Sequence, residues 1–279
     1  MTIVTGLTAV RMLAIEAASV VSGLISGDNL ILTKHDGSTI NAGNVRGPVG
    51  PSGAGFLDNP GINRIINGDF SVNQRGFSAS SSPGYVLDRW QTLFSGGAVT
   101  HSGERPELGD LPESAKYCAR LSVSGQSAVG DFAYLQQRIE SVRTFSGKQV
   151  AVSFWAKAST GTPKVAVYFE QYFGPGQFDS PYVPIYAGQI TISTTWTRYS
   201  LSVAIPSILG KYIGADSSDQ LMLRFWVSAG ANYNSSTGSL GIQNNTFDFW
   251  GVQGEEGYSA SAFKQKSLAE ELRACQRYY

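Results

Sequence analysis

Beyond about residue 61, apolar and polar positions alternate with period two, and the runs are cut by clusters of Gly, Pro, Ser and Asn. This is the pattern of half-buried strands joined by turns. Residues 116–124 place Tyr117, Ala119, Leu121 and Val123 on one face. In 149–158, Val150, Val152, Phe154 and Ala156 oppose Ser153, Trp155 and Lys157. In 164–173, Val165, Val167, Phe169 and Phe173 oppose Tyr168, Glu170 and Tyr172. Residues 197–205 give Tyr199, Leu201, Val203 and Ile205 as the apolar set. In 220–228, Leu221, Leu223, Phe225 and Val227 oppose Met222, Arg224, Trp226 and Ser228. Many such strands with long loops predict a mainly β fold, two antiparallel sheets packed as a jelly-roll-like sandwich.

The flanks differ. Residues 8–19 read as a short helix, 29–33 as a strand, and Asp36-Gly37 as a hairpin turn before a second strand at 38–40. These first residues hold too few large apolar groups for an independent core, so self-association or docking on a partner is expected. Gly47, Gly50 and Gly53 open three successive Gly-X-Y triplets, as a triple helix requires, although three are too few to hold one without flanking domains. A flexible Gly/Pro linker is the other reading. At the far end, Ser267 and Glu270 form a capping box, and Leu268, Leu272, Cys275 and Tyr279 recur at helical spacing. The expected organisation is an N-terminal anchor or stalk over 1–46, a collagen-like neck over 47–60, a sandwich over 61–266 and an amphipathic helix over 267–279.

Composition narrows the function. The 279 residues carry 21 Lys+Arg against 21 Asp+Glu, which argues against a nucleic-acid binder. No apolar run is long enough to span a membrane, and the start lacks the form of a secretory signal. Cys118 and Cys275 make neither a disulfide framework nor a cysteine-rich zinc site and read as small buried hydrophobes.

A set of motifs spread over 62–279 resembles the carbohydrate-binding-module-like domain of phage tail fibres. They are Ile65-Ile66-Asn67-Gly68-Asp69-Phe70 through Gly76, YVLDRW ending at Trp90, Gln137-Arg138-Ile139-Glu140, Val152 through Ala158, WTRYS from Trp196, Gly251-Val252-Gln253 with Glu255-Glu256-Gly257, and the closing Cys275-Gln276-Arg277-Tyr278-Tyr279. Residues 1–46 with the Gly-X-Y triplets are similar to the N-terminal part of minor tail proteins of long-tailed phages. Gly254 departs from the leucine usual in that family. The resemblance implies a homotrimeric virion tail protein, made in the host cytoplasm, gripping other phage tail proteins by its N-terminus and presenting a sandwich to host cell-surface glycan.

Trp155, Lys157, Tyr168, Glu170, Tyr172, Arg224 and Trp226 all point away from the inferred core. Flat aromatic rings beside charged groups suit the C–H faces and hydroxyl rims of sugars, and the same residue types favour protein interfaces. A glycan platform and a protomer contact, or cover by loops near 174–187 and 229–245, are therefore both open. The resemblance also offers Asp69 and Asp248 as ligands of a structural calcium ion, against plain turn and edge-strand roles. No other cofactor is expected. Asp88 and Arg89 suggest an ion pair at the sheet edge, and Glu104, Glu107, Asp110 and Glu113 an acidic solvated loop. Catalysis is not expected. Glu170 is the only acid placed among exposed aromatics, where glycoside hydrolysis needs two carboxylates, and His35 and His101 lie in turn-like or loop sequence without a nucleophile motif. A structural tail-tip scaffold and a polysaccharide depolymerase are the rival functions.

Overall fold

The structure is a computed structural model that describes residues 9–26, 29–44, 62–76, 79–107, 111–112, 114–216 and 218–278. It divides into two units, Met1–Phe56 and Leu57–Tyr279. The Gly-X-Y triplets of Gly47, Gly50 and Gly53 lie outside the described residues, as do Asp110, Glu113 and Tyr279.

In the first unit, helix α1 (Ala9–Ala18) leads into a three-stranded antiparallel meander of β1 (Val20–Ser26), β2 (Asn29–Lys34) and β3 (Thr39–Asn44). The expected turn is present. The Asp36 carboxylate accepts hydrogen bonds from the Ser38 N–H at 2.9 Å and its hydroxyl at 2.6 Å, and Gly37 takes the left-handed backbone (φ 81°). Strand β1 escapes the alternation rule because Val20-Val21 and Leu24-Ile25 put apolar groups on both faces. Leu13, Ile15, Val20, Val21, Leu24 and Ile25 are each more than half exposed.

The second unit is the expected antiparallel sandwich. A six-stranded sheet comprises β4 (Gly84–Leu87), β5 (Trp90–Ser95), β8 (Phe132–Glu140), β10 (Lys164–Tyr172), β11 (Val183–Thr191) and β13 (Gln220–Ala229), in the order β11-β10-β13-β8-β5-β4. Against it packs a five-stranded sheet of β6 (Ala98–Glu104), β7 (Cys118–Ser124), β9 (Gln149–Ala158), β12 (Thr197–Ala204) and β14 (Asn245–Glu256), in the order β12-β9-β14-β7-β6. The chain passes repeatedly from one sheet to the other. Between them lie the alternating apolar residues read from the sequence, with Phe154, Phe225 and Phe249 in mutual contact at 4.8–6.0 Å between ring centroids. The loop expected near 174–187 ends early, since the edge strand β11 begins at Val183, and His101, also expected in turn-like or loop sequence, lies buried in β6.

The motifs quoted above do structural work at one end of the sandwich. Asn67, buried with a left-handed backbone, donates through Nδ2 to the carbonyls of Val72 and Asp88, both at 2.9 Å. Its own carbonyl accepts from the Trp90 indole at 2.8 Å. Gln137 bonds both the N–H and the carbonyl of Ile66. Helix α3 (Leu268–Gln276) then docks on this loop, its start held by the Ser267–Glu270 capping box. Of the expected stripe, Cys275 is buried, Leu272 half-buried and Leu268 exposed. Glu271, off that stripe, is buried as well, its carboxylate accepting the Asn67 N–H at 2.7 Å. Burial pushes the Cys275 thiol up to about 12, so it stays protonated.

Asp88 and Arg89 do not pair, because they form the tight turn between β4 and β5, where Arg89 takes the left-handed backbone (φ 70°) and the two side chains part. Asp88 is buried and accepts from Gln74 and Arg75, whereas Arg89 lies over the Tyr278 ring at 3.7 Å from its centroid. Gly254 sits beneath Ile65 and Phe145, and a Cβ there would meet them at ordinary contact distances of 3.4–3.9 Å.

Candidate functional site

The outward face of the six-stranded sheet is built in rows by strand register. Gln91, Gln136, Arg224, Tyr168 and Tyr186 are successive partners across β5, β8, β13, β10 and β11. One step along, Leu93, Tyr134, Trp226 and Ala166 form the next row, and on the other side Arg138, Met222 and Glu170 form another. Since alternate residues share a face, strand β8 contributes Phe132, Tyr134, Gln136, Arg138 and Glu140 together.

Arg224 is the hub. Its guanidinium meets the Glu170 carboxylate in two hydrogen bonds of 3.0 and 3.1 Å and donates to Gln136 Oε1 at 3.0 Å. Gln136 in turn donates to Gln91 at 2.7 Å. The cation lies over two rings, Tyr134 at 5.2 Å and Tyr168 at 5.5 Å, and the Tyr168 hydroxyl donates to Glu170 at 3.1 Å. Burial first, and then the Glu170 charge, push the Tyr168 phenol well up, which keeps it a neutral donor. Beyond this hub, Phe132, Tyr134, Trp226 and Tyr233 form an aromatic cluster with centroids 4.5–5.9 Å apart.

Two cavities open over these rows. One of about 710 Å³ is lined by Tyr85, Arg89, Arg138, Glu140, Tyr172, Tyr278 and neighbours. The other, about 450 Å³, lies over the aromatic cluster. Both are lined by Glu170, Tyr182 and Arg224, so they form one groove along the strands. From Trp226 to Gln220 it runs about 20 Å, at the usual strand rise. Its rim comes from the segment around Pro175–Pro184, from Asp216, Ser218 and Asp219, and from Asn232–Ser236, the first and last of these within the stretches expected as loop.

The seven residues expected on one platform are divided by the sandwich. Tyr168, Glu170, Tyr172, Arg224 and Trp226 share the groove, but Trp155 and Lys157 belong to the other sheet and face its opposite side. Period-two alternation says which residues point outward from a strand, not to which sheet the strand belongs. Trp155 is moreover packed against Trp250 and Phe263, at 5.2 and 5.9 Å, and Arg198 lies over its ring. The covering segment is fixed by Ser261, which donates through its N–H and hydroxyl to the buried Glu255 carboxylate at 2.7 and 2.8 Å. Lys157 lies over the Trp196 ring. The reading from sequence missed Tyr134, Gln136, Arg138 and Glu140, although the alternation of FAYLQQRIE carries them. It missed Tyr182 and Tyr233 because loop residues have no period.

Asp69 and Asp248 do not fit a calcium site. Both Asp248 oxygens are held by Arg120, at 2.7 and 2.8 Å, and Asp69 accepts from the Ser71 N–H and from Gln265. A carboxylate already matched to a guanidinium has no charge left for a cation. Among the described residues no group of three His, Cys, Asp or Glu converges. The acids near Glu170 are more numerous than expected. Glu140, Asp216 and Asp219 line the same cavity, with Glu140 bonded to Arg277 and Tyr278, Asp216 to Ser218, and Asp219 to Ser141 and the Val142 N–H.

No protein-family model and no curated protein matches the sequence. Solved structures similar in form include the CBM22-2 xylan-binding domain of Xyn10C from Paenibacillus barcinonensis, 14% identical, covering 61% of this chain and 92% of that one at a TM-score of 0.38. Another is the family 11 carbohydrate-binding module from Clostridium thermocellum, in complex with a β-1,3-1,4-mixed-linked tetrasaccharide, 10% identical, covering 67% and 99% at a TM-score of 0.39. Likenesses of this degree carry no residue role over to this chain.

Proposed function

We propose that this chain is a homotrimeric tail protein of a phage virion that holds host cell-surface glycan in the groove of its six-stranded sheet. The observation that carries the reading is the groove itself. It is an open trough with the exposed or half-buried rings of Tyr85, Tyr172, Tyr182 and Tyr233 for the apolar faces of sugars, over a floor in which Trp226 is buried, and with polar groups between them for hydroxyls. The resemblance of the motifs to phage tail fibres supports the setting. The first unit supports the trimer, since a three-stranded sheet with exposed Val20, Val21, Leu24 and Ile25 gains a core by packing against copies of itself. The N-terminus then grips other tail proteins, and three weak sites on one axis gain avidity through effective concentration.

Titration of bacterial surface polysaccharides into the full chain, followed by tryptophan fluorescence, tests the reading. Saturable quenching that Trp226→Phe removes is expected. Absence of binding to any polysaccharide defeats it and favours a structural tail-tip scaffold. The four carboxylates along the groove give the depolymerase reading a specific footing, and release of new reducing ends in the same titration would establish it.

A further inference from the structure

The charges lining the groove are not all matched. Each carboxylate has protein partners: Glu170 has Arg224 and Tyr168, Glu140 has Arg277 and Tyr278, Asp219 has Ser141 and the Val142 N–H, and Asp216 has Ser218. The arginines differ. Arg138 is exposed on the groove floor, and no hydrogen bond or ion pair engages its side chain among the described residues. Its partner in register on β13 is Met222, which offers no charge. On the other side stands Arg89, whose guanidinium donates to the Arg138 carbonyl and whose Nε is buried without a partner. Burial pulls the Arg89 pKa down, as expected for a cation short of a counter-charge. With Arg277 paired to Glu140 and Arg143 lying 3.9 Å from Asp219, Arg89 and Arg138 stand against Asp216 alone, which leaves one positive charge in excess along this end of the trough.

At the other end, Tyr134, Trp226 and Tyr233 surround a cavity whose charged lining residues, Glu170 and Arg224, neutralise each other. The two ends of the groove therefore differ: one is aromatic with its charges neutralised, the other holds both signs with one positive charge in excess.

We propose that the groove takes an acidic polysaccharide, with a carboxylate or phosphate of its repeating unit held by Arg138 and Arg89 and an uncharged ring on Tyr182 and Tyr233. This rests on the glycan reading above and adds the chemical class. Charge-assisted hydrogen bonds to an arginine fork suit either anion. The anion replaces no existing partner of Arg138, so binding does not break a native ion pair.

The test uses the full chain against three anionic polymers, polygalacturonate, alginate and poly(glycerol phosphate) teichoic acid, and three neutral ones, fully methyl-esterified pectin, xylan and dextran. Binding to at least one anionic polymer and to none of the neutral ones is expected. Arg138→Gln should weaken it by about tenfold. Lys164→Gln, an exposed cation at the start of β10, should leave it unchanged. Equal binding of neutral polymers, or wild-type affinity in Arg138→Gln, overturns the acidic class while leaving the groove a glycan site. Binding of none of the six overturns this inference, and failure of the wider titration described above would also remove the glycan reading beneath it.

Discussion

Arg224 on β13 and Glu170 on β10 are joined by two parallel hydrogen bonds of 3.0 and 3.1 Å, both side chains nearly buried under a layer of aromatic rings. The pair fixes the floor of the groove. It sets where Tyr134 and Tyr168 lie, because the guanidinium is held between their rings, and it leaves neither charge for a ligand.

Removing one member should cost more than removing both. Glu170→Ala strands a desolvated guanidinium and should destabilise the fold by about 3 kcal/mol or more. The double variant Glu170→Met with Arg224→Met should recover much of that. Urea unfolding of the two singles and the double measures the coupling; additive effects would refute it.

Trp226 and Trp155 should separate cleanly in binding. Both are outward residues of central strands, but only Trp226 lines the groove. Trp155→Phe should keep the wild-type affinity for any glycan bound, while Trp226→Ala should weaken it and cost about 3 kcal/mol of stability, because that ring is 3% exposed and holds Tyr134 and Tyr233 in place from beneath. Calorimetric titration of both variants with the same sugar distinguishes them.

Gly68 should tolerate no side chain. A Cβ there would stand 2.1 Å from the Val252 carbonyl oxygen, and that backbone is itself bonded through the Val252 N–H to the Gly68 carbonyl at 2.9 Å. Neither backbone can yield without breaking the other. Gly68→Ala should therefore cost about 2 kcal/mol, seen as a lowered melting temperature. Gly161→Ala, at an open turn, is the reference and is limited to the cost of its left-handed backbone.

Buried His101 should make stability depend on pH. Its Nε2 lies 2.9 Å from the Ser82 carbonyl, and burial lowers its pKa below 6.5. A base with a depressed folded pKa contributes stability that is present above the unfolded pKa and lost as pH falls through the folded one. Between pH 7.5 and 5 the wild-type urea midpoint should fall more than that of His101→Gln. Parallel curves would show that the imidazole does not titrate with unfolding.

Oligomeric state should follow the first unit. Light scattering of the full chain should give a threefold mass, and Leu24→Asp with Ile25→Asp should abolish it, because those side chains are 69% and 64% exposed in the single chain. A monomeric wild type would refute the trimer.

Much of the fold was legible because alternation is a local property. Strands β9, β10, β12 and β13 were bounded within a residue or two from hydrophobic spacing, and the Ser267–Glu270 capping box was read from two residues alone. The buried thiols of Cys118 and Cys275 followed from composition and placement. The β1 strand, apolar on both faces, carried no such period, and neither did the short strands at the sheet edge.

The sequence by itself determined which residues face outward from each strand, and that Tyr168, Glu170, Arg224 and Trp226 were chemically fit for a sugar. Only the tertiary structure decided which of them meet. Sheet membership depends on long-range pairing, so β9 and β10, adjacent in the chain, lie in opposite layers and carry Trp155 and Tyr168 to opposite sides. Partnership is equally non-local. Asp248 is matched to Arg120 across 128 residues, while Arg138 is left unmatched because its register neighbour is a methionine. The groove and its spare positive charge arise from these pairings.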